Sequence, residues 1–211
     1  MKLDTTENSE ISNLSDGQLW TELRKGNSDV LNALFYRFYD DLYFYGTKLV
    51  NDKNLIIDTI QDVFSILWES KKKLSDVRHI KAYIFKIFRN KLLKAPQKKI
   101  NYFSLKDIDK IHEKEFIISQ EDIIIEQETR SQIAKKIIIV LEELTDKQKE
   151  ILYLKFYCNL SNTDISQTLS INKQSTSNLL NRSINAFRKK LKNYELLLLL
   201  TPQILVNYLL I

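Results

Sequence analysis

Apolar residues recur along most of this chain at spacings of three and four, the pattern of helices that each bury one face. The first helix is predicted from Ser15. Ser15-Asp16-Gly17-Gln18 reads as a capping box, and Leu19, Trp20 and Leu23 follow it. Gly26-Asn27 ends that helix, and Ser28 is expected to cap the next. Its apolar face is Leu31, Leu34, Phe35, Phe38, Leu42, Tyr45 and Leu49. Asn51-Asp52 breaks it, and a third helix carries Ile56, Ile60, Val63, Phe64 and Leu67. After a basic turn, Lys71-Lys72-Lys73 and Ser75-Asp76, a fourth helix carries Ile80, Ile84, Ile87 and Phe88. It must stop before Pro96, because the residue preceding a proline is pushed out of the helical region. The spacing from Ile80 and Ile84 sets Phe88 inward and Phe85 outward.

Periodicity weakens over residues 97–130 and resumes near Ser131 with Ile133, Ile137 and Leu141. A helix is then predicted from Asp146 to Phe156, with Thr145 as its cap. A short one from Ser161 carries Ile165 and Leu169, and a long one runs from Lys173 to Asn193. The expectation is an all-α chain of two small helical domains joined by a linker. The parts are a polar tail (1–14), a helical domain (15–95), an acidic linker (96–130), a second helical domain (131–193) and an apolar tail (194–211).

Composition narrows the function. The chain has 211 residues but only 3 Gly, 2 Pro, 1 Cys and 2 His. Gly17, Gly26 and Gly46 stand too far apart for a phosphate-cradling loop. One cysteine closes no intrachain disulfide, which fits a reducing cytoplasm. His79, His112 and Cys158 do not form a zinc-binding pattern. The expectation is therefore a cytoplasmic protein that is not an enzyme, with no catalytic residue, no metal and no cofactor. Residues 1–15 do not read as a signal peptide, and no apolar run reaches the ~20 residues of a membrane span.

The formal net charge of +5 conceals a segregation. Between Lys71 and Lys99 eleven basic residues face one acid, Asp76. Between Lys173 and Lys192 six basic residues stand with no acid. Between Ser104 and Arg130 eight acids outnumber four basic residues. Two basic stretches on separate domains, joined by an acidic tether, suggest two contacts with a nucleic-acid backbone.

Residues 161–182 have the spacing of a helix-turn-helix: a short helix to Leu169, a turn Ser170-Ile171-Asn172, and a second helix from Lys173. Ile171 is expected to be buried between the helices. The second helix turns Thr176, Leu180, Ile184, Phe187 and Leu191 inward. Its outer face then offers Lys173, Gln174, Ser175, Ser177, Asn178, Asn181 and Arg182, short polar and basic side chains suited to base edges and phosphates in a major groove.

On these motifs the chain resembles the bacterial RNA polymerase sigma factors of the short extracytoplasmic-function (ECF) type. Asp58-Thr-Ile-Gln-Asp-Val-Phe-Ser-Ile-Leu-Trp68 resembles the family's region 2.2, and Ile80 to Asn90 its regions 2.3–2.4. Leu144 to Phe156, continuing from Leu160 to Leu191, resembles region 4. The resemblance spans roughly 15–95 and 131–192. It implies that Asp58, Gln61, Asp62 and Glu69 bind core RNA polymerase. It implies that Lys71, Lys72, Lys73, Arg78, Lys81, Tyr83, Phe85, Lys86, Arg89 and Asn90 hold the opened −10 strand of promoter DNA. Cations along a backbone and aromatic faces for bases are what a single strand needs. The helix-turn-helix would read the −35 element, the acidic linker would thread a basic polymerase channel, and an anti-sigma factor is a further partner. Trp68 sits with Phe64 and is read as packing rather than base capture.

The chain departs from that pattern in places. Ser170 stands where the family usually has Gly; a positive φ there costs a non-Gly residue about 1 kcal/mol. Ser166 replaces a usual Ala, and Ser177 and Leu179 replace residues that are commonly basic. The tail 196–211 (LLLLLTPQILVNYLLI) is uncharged and lies beyond the usual end of the family near Leu191. It is expected either to pack on its own domain or to dock on another surface and mask it; stable membrane insertion is not expected. Two other readings fit parts of the sequence. One is a helix-turn-helix regulator acting without the polymerase, which has no need of the 58–68 motif. The other is a protein-binding decoy of a sigma factor.

Overall fold

The computed structural model describes residues 11, 13–95, 137 and 139–192. The expectations for the N-terminal tail, the acidic linker, the helical start at 131–136 with Ile133, and the apolar tail lie outside the described residues. Every regular element among the described residues is helical, so the fold is all-α. The chain divides into two compact units, residues 1–101 with 163–171, and residues 102–162 with 172–211.

The first unit is built on α1 (Asp16–Lys25), α2 (Ser28–Leu49), α3 (Lys53–Ser70) and α4 (Ile80–Lys94), with a 3-10 turn at Lys71–Lys73. The predicted capping box is present: Gln18 Oε1 accepts from the Ser15 backbone N–H at 2.9 Å, and Ser15 Oγ accepts from the Gln18 N–H at 3.4 Å. Gly26 ends α1 with φ of 97°, its N–H bonded to Leu23 O and that of Asn27 to Glu22 O. That is a Schellman ending, which needs a left-handed residue. The cap of α2 is Asn27 rather than Ser28: its side chain accepts from the Asp29 N–H at 3.0 Å. The left-handed Gly26 closes α1 one residue earlier, so Asn27 is already extended and in position to cap. Asp52 caps α3 through the Leu55 N–H at 3.0 Å. Helix α4 ends at Lys94, two residues before Pro96.

Leu19, Leu23, Leu34, Leu42, Ile56, Ile60, Val63, Leu67, Ile84, Phe88 and Leu92 form the core of this unit, and each is fully buried. Gly46 lets α2 approach its neighbours closely. A Cβ there would lie 2.7 Å from Ile56 Cγ2 and 3.0 Å from Phe88 Cζ. Trp20 is buried, and its indole N–H donates to Ser75 O at 3.0 Å, fastening the loop before α4 to α1. Arg37 ties α2 to the start of α1 through Leu14 O at 2.8 Å and Asp16 Oδ1 at 2.9 Å.

In the second unit, α5 (Asp146–Leu152) opens on Thr145, the expected cap, which forms a capping box with Gln148. It continues as a π-helical turn, Tyr153–Tyr157, in which the Cys158 N–H reaches back five residues to Tyr153 O at 3.1 Å. Asn159 then turns left-handed with φ of 52°, a conformation that Asn tolerates better than most residues. Ile137, Val140, Leu141, Leu144, Ile151, Leu152, Leu154 and Leu160 are buried.

Helix α6 (Asn162–Thr168) is short, and its Asp164 carboxylate lies 2.8 Å from His79 Nδ1. It closes like α1: the Ser170 N–H bonds Gln167 O and the Ile171 N–H bonds Ser166 O. Ser170 has φ of 55°, so the position at which the resembled family usually has glycine is left-handed and is filled by serine. Helix α7 (Lys173–Lys192) follows and packs along α5.

Candidate nucleic-acid and protein interfaces

Helix α7 begins where predicted. Asn172 caps it, its Oδ1 accepting from the Ser175 N–H at 2.7 Å and its carbonyl from the Thr176 N–H at 3.0 Å. Thr176, Leu180, Phe187 and Leu191 are buried as expected, and Ile184 is half-buried. Ser183 is buried as well, and its hydroxyl donates to Leu179 O at 2.8 Å, so the helix accepts a polar residue on its inner side. On the outer side Lys173, Gln174, Ser175, Asn178, Asn181 and Arg182 are exposed, while Ser177 and Ile171 are half-buried. Gln174 and Asn178 share a hydrogen bond of 3.1 Å. No acid occupies the first turn. The N-terminal half of α7 therefore presents backbone dipoles, three amides and two cations to one side, a surface suited to a polyanion.

The basic stretch of the first unit is arranged differently. Lys72, Lys73 and Arg78 are exposed. Lys71 is folded back: its ammonium sits 3.8 Å from the centre of the Trp68 ring and donates to Trp68 O at 3.0 Å. Lys81 pairs with Asp41 at 2.7 Å, and Lys91 pairs with Asp62 at 3.2 Å. Lys86, Arg89 and Asn90 are half-buried, as is Tyr83, whose ring meets Trp20 edge-on at 5.5 Å.

The outward placement of Phe85 is overturned. Phe85 is 0% exposed, its ring stacked on Tyr45 at 5.5 Å. The reason is the number of neighbours. Helix α4 packs against α1, α2 and α3, so its buried face widens to include Ile80, Ala82, Ile84, Phe85, Phe88 and Leu92. A single stripe at the helical period underestimates such a face.

Asp58, Gln61, Asp62 and Glu69 all emerge exposed from α3, on the face away from Ile56, Ile60, Val63 and Leu67. Beside them lies a groove of about 360 Å³ between α2 and α3, lined by Leu31, Phe35, Gln61, Phe64, Ser65, Trp68 and Glu69. Phe35 meets Phe64 edge-on at 5.2 Å and Tyr39 at the same distance, and Tyr39 stacks on Tyr43 at 6.2 Å. Trp68 packs beside Phe64 as expected, but it remains half-buried and forms one wall of the groove. Sequence reading missed the groove. Its only signal was a surplus of large apolar residues, Phe35 and Trp68, flanking positions that already filled the core face.

Among the described residues no group of His, Cys, Asp and Glu is placed to hold a metal ion, and no helix is long and apolar enough to cross a membrane.

No family model and no curated protein matches the chain. Among solved structures, that of CnrH in complex with the cytosolic domain of CnrY is similar, with a TM-score of 0.54 at 15% sequence identity. The likeness covers 84% of this chain and 97% of the matched one, so the helical fold found here is one already known in CnrH.

Proposed function

We propose that the chain is a sigma factor of the ECF type, which binds core RNA polymerase and directs it to promoters. The observation that carries this reading is the likeness in fold to CnrH, an ECF sigma factor, over most of both chains. Two features of the chain support it independently. The exposed polar row Asp58, Gln61, Asp62 and Glu69 on α3 suits a protein partner, and the acid-free outer face of α7 suits DNA.

In this reading α3 docks on the polymerase through that row. Lys72, Lys73, Arg78, Lys86, Arg89 and Asn90 guide the opened −10 strand. Lys71 and Lys81 join them only by giving up Trp68 and Asp41. Tyr83 is the remaining aromatic candidate for a base, since Phe85 is buried. Lys173, Gln174, Ser175, Ser177, Asn178, Asn181 and Arg182 read the −35 duplex, with phosphate contacts setting the register and base edges the sequence. An anti-sigma factor is a fitting regulator, because CnrH is found with the cytosolic domain of CnrY. The chain contributes no chemistry of its own to the reaction and works in the cytoplasm.

The test mixes the full chain with core RNA polymerase and measures complex formation and promoter-specific initiation. Gln61→Arg reverses the character of the exposed row without disturbing an ion pair, whereas Asp62→Arg also strips Lys91 of its partner. Binding by the parent chain, lost in both variants with the helical signal intact, is expected. A parent chain that does not bind core polymerase refutes the reading.

A further inference from the structure

Lys71-Lys72-Lys73 reads in sequence as one basic patch, and the resemblance gives all three lysines the same task. The fold separates them. Residues 71–73 form a 3-10 turn. Such a turn has three residues, so consecutive side chains leave it about 120° apart and cannot all face one strand. Lys72 and Lys73 are exposed, whereas Lys71 is half-buried. We propose that Lys71 is a positioning residue: it clamps the turn to Trp68 and so sets Lys72 and Lys73 for phosphate contacts that it does not make itself. The proposal rests on the reading of this turn as part of the −10 strand site.

The turn is fixed at both ends. The Lys71 ammonium lies 3.8 Å from the centre of the Trp68 ring. It also donates to Trp68 O at 3.0 Å, a carbonyl that the Lys71 backbone N–H bonds as well. A cation at the last carbonyls of a helix is favoured by their dipoles, and an indole face attracts it further. The stem of Lys71 passes the end of α1, where a Cβ on Gly26 would lie 3.7 Å from its Cε. To reach a phosphate, Lys71 has to leave the indole, the carbonyl and the end of α1 together. On the other side of the turn Leu74 is buried, its N–H bonded to Ser70 O at 3.1 Å, and Ser75 O accepts from the Trp20 indole at 3.0 Å. Lys72 and Lys73 therefore stand between two fixed points.

A contact and a positioning residue leave different marks on binding. A lysine that neutralises a phosphate releases counterions, so its loss flattens the dependence of log affinity on log salt, by about 0.7 for a single strand. A positioning residue changes only the fraction of molecules whose turn is in place. Its loss divides the affinity by the same factor at every salt concentration and leaves the slope alone. Trp68 must then behave like Lys71, although it carries no charge, and the two losses must not add.

The test measures the affinity of the full chain for a labelled single-stranded DNA oligonucleotide as salt is varied, with circular dichroism to check that each variant is folded. Lys72→Met and Lys73→Met should each flatten the slope by about 0.7. Lys71→Met and Trp68→Leu should each lower the affinity about threefold, the weight of an exposed cation–π contact, with the slope unchanged. The double variant should lose no more than either single one. Lys71→Arg, which returns a cation to the ring, should recover the parent affinity. Tryptophan emission of the DNA-free chain is a second readout. Lys71→Met should shift it and Lys71→Arg should shift it less, whereas in a Trp68→Phe background neither should act, since Trp20 is buried. A slope flattened by Lys71→Met as by its neighbours overturns the proposal, because Lys71 is then itself a contact. Unchanged affinity or unchanged emission in Lys71→Met overturns it too, because the clamp then sets nothing. Emission that responds in a chain that binds no oligonucleotide keeps the clamp but removes the strand reading, and with it the task given to Lys72 and Lys73.

Discussion

Two stretches of this chain look alike as sequence and differ as surfaces. Residues 71–94 and 173–192 are both rich in Lys and Arg and nearly free of acids. In the first, helix α4 is wedged among three other helices, and its cations lie at the edges of those contacts. There Lys81 meets Asp41 of α2, and Lys91 meets Asp62 of α3. In the second, α7 packs along α5, and Lys173, Arg182, Arg188 and Lys189 stand exposed while Lys190 joins a carboxylate, Glu143, at 2.6 Å. A run of like charges in sequence gives a charged surface only where the helix carrying it has few neighbours. Where it has many, their acids come to it, and each partly exposed pair contributes no more than about 1 kcal/mol while occupying a cation.

The comparison is most sharply tested at Phe85. If α4 is foremost a core helix, Phe85→Ala should cost about 3–5 kcal/mol, the range for removing a buried ring, and lower the midpoint of urea unfolding accordingly. A loss of DNA binding with stability unchanged would instead return Phe85 to the surface. Gly46→Ala probes the same packing from α2. With Ile56 2.7 Å from the added methyl group, overpacking should cost about 1–3 kcal/mol by the same measurement. An unchanged midpoint would mean that the helices separate easily.

On the exposed side, Arg182→Ala should leave stability within about 0.5 kcal/mol, as for other surface changes. It should reduce the slope of log affinity for duplex DNA against log salt by about 1, one phosphate contact being lost. An unaltered slope would remove Arg182 from the interface. A change of the opposite sign is expected at the turn before α7. Ser170→Gly relieves a left-handed serine and should stabilise the protein by up to about 1 kcal/mol, read as a rise in the thermal midpoint. A fall would show that the serine side chain has a favourable contact there.

Local signals in this chain were legible because they depend on few residues. The capping box at Ser15, the cap at Thr145 and the stop before Pro96 each follow from backbone rules over four or five positions, whereas the left-handed position of Ser170 was marked only by the family resemblance. The outer face of α7 was legible for a related reason: a helix with one main partner obeys a single period. What escaped depends on residues distant in sequence. Phe85 is buried because Tyr45 stacks on it from another helix. Lys81 and Lys91 are paired because Asp41 and Asp62 arrive from two others. The groove exists because Phe35 and Trp68 flank a seam that neither helix specifies alone. Ser28 failed as a cap for a smaller reason, since Gly26 shifted the frame by one residue.

The π-helical turn at Tyr153–Tyr157 has an evolutionary reading. A hydrogen bond that reaches back five residues instead of four holds one residue more than an α-helical turn needs. The surplus is absorbed between the buried Leu152 and the buried Leu160, upstream of the short helix and the turn that lead into α7. Insertions and deletions of a single residue among relatives of this chain should therefore collect at this turn. There the count can change while the outer face of α7 keeps its register.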